Sequence, residues 1–313
     1  MRETLLIGSG NMAMAYCEVL KAQKEKFTVV GNSIKKADEF KGKTNVYCHS
    51  GGIENYLSNT KTKPSHAIVS VQVEKLFKLS SLLVKKGIKN ILVEKPGGIN
   101  QNEIQELASL SKHKCNLFVA YNRRFYQSVL AAQNEIKNDG GVLSARFEFT
   151  EWSHVIEKIN KPDALKKNWF LANSSHVIDL VFSIIGKPKK ISSFTSGDIG
   201  WHKPSIYGGA GITESNCIFS YYANWESAGR WGIELNTSKR KLILSPLEIL
   251  QEQLIGSIEA NKISFDYSID EKFKAGIYYQ VEAFLKDQKE KLKSIEEQMK
   301  DLKHLSKING DVK

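Results

Sequence analysis

The chain has 313 residues, 41% hydrophobic and 25% charged, a composition that excludes intrinsic disorder and leaves room for two domains of ordinary size. No apolar stretch reaches the ~20 residues of a membrane span, so no membrane partner is expected. The formal net charge is +11. Its lysines are scattered and form no compact basic block interleaved with aromatics, which argues against a nucleic-acid partner and leaves phosphate-bearing small molecules as the attraction.

The first predicted strand is the short run Glu3-Thr4-Leu5-Leu6-Ile7. It runs into Gly8-Ser9-Gly10-Asn11-Met12-Ala13, and Ala13, Tyr16 and Leu20 at near-helical spacing predict a helix directly after. This is G-x-G-x-x-A between a strand and a helix. Gly8 allows the tight turn, Gly10 offers no side chain to keep a pyrophosphate from the backbone, and Ala13 permits close helix–strand packing. The phosphates would meet the free N–H groups at the helix N-terminus, beside Ser9, Asn11 and Met12.

Residues 27–30 predict the second strand, ending at Gly31-Asn32-Ser33, and a helix starts at 34–40. An acidic residue near this place accepts the ribose hydroxyls of NAD. Here stand Gly31, Asn32 and Ser33, with Lys35 and Lys36 just beyond. The absence of a carboxylate and the presence of lysines lean toward NADP, with NAD still open. Further strands are expected at 46–48, 66–71, 91–93 and 116–120, alternating with helices at 75–86 and 102–112. That alternation predicts an α/β fold with a doubly wound parallel sheet. Ligands of such sheets bind at the carboxyl ends of the strands. The tips at Gly8, Gly31, Val71-Gln72, Glu94-Lys95 and Asn122 are therefore the expected cofactor edge.

The texture changes near residue 125, and the domain boundary is placed at 122. Residues 1–122 form the dinucleotide-binding domain. Residues 123–313 form an α+β domain for substrate binding and oligomerisation, with a C-terminal helix. Strand-like runs at 141–152, 190–194, 212–224, 231–236 and 240–244, with few helices between, predict a mostly antiparallel sheet. An amphipathic helix is expected over 272–285, and a second apolar stripe (Leu292, Ile295, Met299, Leu302) serves either docking or an oligomer contact.

Three groups of residues could do chemistry. Glu94-Lys95-Pro96 lies at a strand end, where a lysine can hydrogen-bond a substrate oxygen and stabilise developing negative charge. Pro96 fixes the backbone beyond it, with a cis bond as one way of doing so. In the run 168–180, Asn173 or Ser174 is a suitable N-cap. His176 then sits in the first helical turn, where the helix dipole disfavours imidazolium and suits acid–base work. Asp179, one turn later, could orient it. The third group is Trp152, His154, Trp201, Tyr207 and the run 224–231, read either as sugar-binding aromatics with Arg230 forking onto a phosphate or carboxylate, or as a tryptophan-rich core. Arg123 and Trp169 join Lys95, Trp152, Asn173, His176, Tyr207 and Arg230 as candidate substrate contacts. Cys17, Cys48, Cys115 and Cys217 have no metal-ligand spacing, so no metal is expected, and free thiols fit a reducing cytoplasm. The N-terminus has no small-residue cleavage site, so no signal peptide is expected.

Taken together, Gly8 to Ala13, Glu94-Lys95-Pro96, Tyr121-Asn122-Arg123-Arg124-Phe125 and His176-Val177-Ile178-Asp179-Leu180 resemble the glucose–fructose oxidoreductase / inositol dehydrogenase / MocA family over nearly the whole chain. The resemblance implies a Rossmann domain followed by an α/β domain whose open sheet often forms a homodimer or homotetramer contact. It implies NAD(P)-dependent oxidation or reduction of a sugar, cyclitol or nucleotide-linked sugar, with Lys95 on the reacting oxygen and His176 as acid/base. The chain departs from the family pattern at Ala172, Gln72 and Leu76, where an aspartate, a proline and a histidine are usual. Asn173 is the neighbour that could take over an orienting role. A cofactor-sensing regulatory protein without turnover is the alternative on the same fold.

Overall fold

A computed structural model of the chain describes residues 3–60 and 64–311. It divides into two compact units: residues up to 121 with 272–300, and residues 122–271 with those from 301 onward.

The first unit is built on strands β1 (Thr4–Ile7), β2 (Phe27–Val30), β3 (Cys48–His49), β4 (His66–Val69), β5 (Asn90–Glu94) and β6 (Asn116–Ala120). They lie in the order β6-β5-β4-β1-β2-β3, all parallel, with the two-residue strand Lys293–Ser294 added antiparallel at the β6 edge. Leu5, Leu6, Ile91, Leu92 and Val93 are fully buried. Apolar runs rather than alternation are what a parallel sheet covered on both faces requires. Helix α1 (Asn11–Ala22) follows β1, α2 (Ile34–Thr44) follows β2 and α3 (Gly52–Asn59) follows β3. Helix α4 (Val73–Lys85) follows β4, and α5 (Gln101–Ser111) follows β5. The strand order reverses between β1 and β4, which pair with Ile7 opposite Val69. That reversal opens the crevice where ligands of such sheets sit.

The second unit carries an eight-stranded sheet. Its strands are β7 (Ser144–Glu148), β8 (Pro188–Ser196), β9 (Ile206–Thr213), β10 (Ile218–Asn224), β11 (Gly232–Asn236), β12 (Arg240–Leu244), β13 (Leu250–Leu254) and β14 (Asn261–Lys262). The order is β14-β13-β12-β11-β7-β10-β9-β8, antiparallel except for β7 with β10. One face is an aromatic core in which Phe147 stacks on Tyr221 at 5.5 Å and meets Phe182 edge-on at 5.9 Å. Phe182 belongs to the helix Ser175–Ile185, whose Val177, Ile178, Leu180 and Val181 are buried. On β10 the period of two leaves Ile218 and Tyr222 exposed while Phe219, Tyr221 and Ala223 are buried.

Three expectations change. Residues 272–300, assigned from sequence to the second domain, pack in the first unit. Their helix Ile277–Leu285 lies against α1, where Gln23 Nε2 donates to the carbonyl of Tyr278 at 2.9 Å. The single helix expected over 272–285 is broken, with Ser268–Lys272 separated from Ile277–Leu285 by Gly276 at φ 74°. The strand-like run 212–224 is two strands of a hairpin, turned at Asn216 with φ 64°. In the apolar stripe, Leu292, Ile295 and Leu302 are buried, so those residues dock on their own chain.

Candidate active site

The first unit presents a glycine turn at the switch between β1 and β4. Gly8 adopts φ 128°, and a Cβ there would stand 2.0 Å from the carbonyl oxygen of Ser70, the residue after β4. The two strand ends approach so closely that only glycine fits. Gly10 is different. Its backbone is extended (φ −92°), and a Cβ would meet nothing within 4 Å. It is the N-cap of α1, with no side-chain cap bond and no acidic residue in the first turn. The start of α1 thus has no side-chain cap and open space where a Cβ of its N-cap residue would stand, features that suit a diphosphate. Ala13 is fully buried, as close helix–strand packing demands.

The neighbouring strand ends add to this edge. Gly31 lies against Ser9, whose Oγ would be 3.1 Å from a Cβ there. Its carbonyl accepts from the Gly52 amide at 2.9 Å, and the Asn32 carbonyl accepts from the Gly51 amide at 3.2 Å, so the loop is latched from below. Asn32, Ser33, Lys35 and Lys36 are exposed, and the first turn of α2 has no acidic residue. Val71 lies beside Gly8, and Gln72 is the N-cap of α4. At the end of β5, Glu94 Oε1 accepts from the Tyr16 hydroxyl at 2.8 Å, and that hydroxyl also reaches Gln280 Oε1 at 3.3 Å. Desolvation pushes the Glu94 carboxyl above its ordinary range despite Tyr16 and Lys95. Lys95 follows in a cis bond to Pro96. The sequence singles out the Glu-Lys-Pro triplet. The buried Tyr16–Glu94 pair beneath it, 78 positions apart in the chain, is visible only in three dimensions.

In the second unit His176 is buried on the helix Ser175–Ile185, 6.1 Å from the Trp231 ring. The start of that helix differs from expectation. Residues Phe170–Ser174 form a π-helical turn that feeds straight into it, and Ser174 is itself helical (φ −63°). Ser174 stands at the N-cap position, but its side chain makes no capping hydrogen bond. Asn173 Nδ2 donates to both oxygens of Glu151 at 3.0 and 3.1 Å, and Ser174 Oγ donates to Glu151 Oε1 at 2.8 Å. With helical turns before it, His176 is not at a bare helix N-terminus, and the dipole argument for a neutral ring lapses. Asp179 is held in a two-pronged pair by Arg124, Nε to Oδ2 and Nη2 to Oδ1 both at 2.7 Å. Asn122, Arg123 and Arg124 all come from the 3-10 turn Asn122–Phe125.

Glu151 is the residue that sequence reasoning missed. It is buried, and desolvation raises its carboxyl even though Ser174, Arg230 and Asn173 favour the charged form. Ala172 brings no carboxylate to this turn, and Glu151, just beyond β7, reaches it through Asn173 and Ser174. Only the neighbouring Asn173 hints at it in the sequence.

The aromatic group splits in two. Tyr207 and Trp225 are buried, with the Tyr207 hydroxyl donating to the Pro204 carbonyl at 2.6 Å and the Trp225 indole to the Phe149 carbonyl at 3.3 Å. They stack with Phe170 and Trp201 in the core, the second of the two roles left open by the sequence. Trp169 meets Trp201 edge-on at 6.4 Å, and His154 is exposed. Trp152, by contrast, is 48% exposed, and Arg230 lies 4.7 Å from its ring. Arg230 also lies 4.8 Å from the Trp231 ring, and Arg123 lies 4.5 Å from that same ring.

Together, the parallel sheet with its glycine turn and the mostly antiparallel second sheet define a Rossmann-type two-unit fold. Solved structures share it. Levoglucosan dehydrogenase in complex with NADH superposes over 98% of this chain and 95% of its own, with a TM-score of 0.78 at 14% identity. UDP-N-acetylglucosamine 3-dehydrogenase from Acidithiobacillus ferrooxidans covers 99% of this chain and 97% of its own, with a TM-score of 0.74 at 13% identity. In sequence, the chain is 27% identical over 153 residues to YhhX, an uncharacterized oxidoreductase of Escherichia coli K12. That match spans 47% of this chain and 43% of YhhX. No protein-family model matches the chain.

Proposed function

We propose that the chain is an NAD(P)-dependent oxidoreductase acting on a CH–OH group or the corresponding carbonyl of a sugar, cyclitol or sugar derivative. The observation that carries the proposal is the paired behaviour of Gly8 and Gly10. The first is packed against a carbonyl, and the second leaves free space at an uncapped helix start. The residues fit a dinucleotide: Gly8 to Ala13 would hold the diphosphate, and the strand ends at Gly31 to Ser33, Val71, Gln72, Glu94, Lys95 and Asn122 would hold the remainder. Exposed Lys35 and Lys36 favour a 2′-phosphate, hence NADP over NAD. When bound, the nicotinamide supplies or accepts the hydride.

Lys95 is assigned the contact to the reacting oxygen, where an ammonium stabilises developing negative charge. His176, in the second unit, is assigned the proton transfer to or from the substrate. Asn173, anchored on Glu151, is an orienting group beside the histidine. The motif order of the family, the sugar dehydrogenases that share the fold and the partial match to YhhX all support this reading. The exposed face carrying Ile218 and Tyr222 supports a homodimer or homotetramer, and the described free cysteines support a cytoplasmic setting.

The test has two parts. NADPH and NADH are titrated onto the full chain, and cofactor consumption is then followed with a panel of sugars and keto-sugars. Lys95→Ala and His176→Ala are each expected to lower turnover at least ~100-fold while the cofactor still binds. Cofactor binding without consumption across the panel would favour the sensing protein instead, and near-normal turnover in both variants would remove the two assignments.

A further inference from the structure

The second unit gathers hydrogen-bond donors around one ring without matching acceptors. Arg123 and Arg230, 107 positions apart by their numbers, both place a guanidinium on Trp231, at 4.5 and 4.8 Å from its centroid. The Trp231 indole N–H is buried and has no hydrogen-bond partner among the described residues, although the residue is only 4% exposed. Such groups are paired in nearly all folded proteins, so an orphaned donor calls for an explanation. Arg123 makes no ion pair within 4 Å among the described residues, and burial lowers its pKa, with Arg230 adding to the effect. The Arg230 side chain is 44% exposed and, among the described residues, pairs only with the Glu151 carboxylate, at 3.7 Å and beyond hydrogen-bond length. The Glu151 oxygens already accept from Asn173 and Ser174.

The acidic groups nearby offset the cluster only in part. Glu151 is the carboxylate whose charged form burial disfavours. Glu248 is exposed and acts on Arg123 only from a distance. Glu148 lies against Gly229, and its Oε1 has no partner among the described residues. Two guanidiniums on one ring repel each other, and Glu151 pairs with Arg230 at 3.7 Å while no carboxylate among the described residues pairs with Arg123. An incoming anion would relieve the repulsion and give the orphaned N–H an acceptor. Guanidinium forks match the paired oxygens of carboxylate and phosphate. The exposed Trp152 ring, held by its own N–H to the Gly229 carbonyl at 2.9 Å, adds a flat face on the solvent side of Arg230.

We infer that Arg123, Arg230 and Trp231 form an anion subsite, and that the substrate is a sugar or sugar derivative bearing a phosphate or carboxylate group. The inference takes the word substrate from the oxidoreductase reading, but the subsite stands on this unit alone. The phosphate and carboxylate sources are separated by using glucose 6-phosphate and glucuronate as probes, with glucose as the neutral control.

The experiment is calorimetric titration of the full-length protein with each probe, without cofactor, so that it does not depend on turnover. At least one charged probe is expected to bind about tenfold or more tightly than glucose, and the stronger of the two identifies the group. Arg123→Gln and Arg230→Gln are each expected to remove most of that preference. Trp231→Phe, which keeps the ring and deletes the N–H, is expected to weaken the anion severalfold. NADPH is titrated onto every variant in parallel, and unchanged NADPH binding shows that the first unit is intact. Equal binding of charged and neutral probes, no binding of either anion, or a preference untouched by both arginine substitutions would overturn the subsite. Loss of NADPH binding by the wild-type chain would instead strike the oxidoreductase reading.

Discussion

At the scale of single residues, two glycines two positions apart meet different needs. A side chain at Gly8 would collide with the Ser70 carbonyl, whereas one at Gly10 would enter empty space. Gly8→Ala is therefore expected to lower the thermal midpoint clearly, through a steric clash and an unfavourable positive φ. Gly10→Ala, with φ −92°, is expected to leave the midpoint almost unchanged and to weaken NADPH binding by about tenfold or more, because the added methyl stands where the diphosphate would approach. The strand, turn and helix around G-x-G-x-x-A were legible in the sequence, because short apolar runs and helical spacing mark them locally. Glu151, Arg124–Asp179 and Tyr16–Glu94 were not. Their partners come together from 22, 55 and 78 positions apart, and no local spacing encodes such a pairing. For Arg124–Asp179, which is largely buried, Asp179→Ala is expected to cost about 3–5 kcal/mol in denaturant unfolding, since it takes a two-pronged carboxylate from a largely buried guanidinium.

At the scale of elements, parallel strands and helices were read nearly to the residue where apolar runs are short and bounded, as at 116–120. The failures share a physical cause. The π-helical turn Phe170–Ser174 has no local signature, because it is secured by Asn173 and Ser174 reaching across to Glu151. Ser174→Ala is expected to destabilise the second unit by about 1–3 kcal/mol, the usual consequence of removing one donor from a buried acceptor. The β11–β12 turn is tied to the helix Gln127–Asn138 through Asp139. Burial alone would raise its carboxyl, but the Thr237 hydroxyl at 2.9 Å and the Arg240 guanidinium at 3.2 Å hold it below the ordinary aspartate range. A depressed folded pKa contributes stability above the unfolded value, near pH 4, which is lost as pH falls through the folded one. Asp139→Asn is therefore expected to flatten the fall in thermal midpoint below about pH 4 while lowering the midpoint at neutral pH, as a pH series of melting curves would record.

At the scale of the whole molecule, the two-sheet plan followed from the change in sequence texture near residue 125. The return of residues 272–300 to the first unit did not, because an amphipathic helix shows which face it buries but not against what. The proposed function asks a diphosphate cradle of the first unit, and proton transfer and anion binding of the second. A dinucleotide that binds only the folded chain must also stabilise it, by about 2.7 kcal/mol at a hundredfold excess over Kd. The most direct test is calorimetric titration of NADPH and NADH onto the wild-type chain and Gly10→Ala. The account predicts one dinucleotide per chain, tighter for NADPH, and a strongly weakened response in the variant at an unchanged melting temperature. No binding of either dinucleotide to the wild-type chain would contradict it.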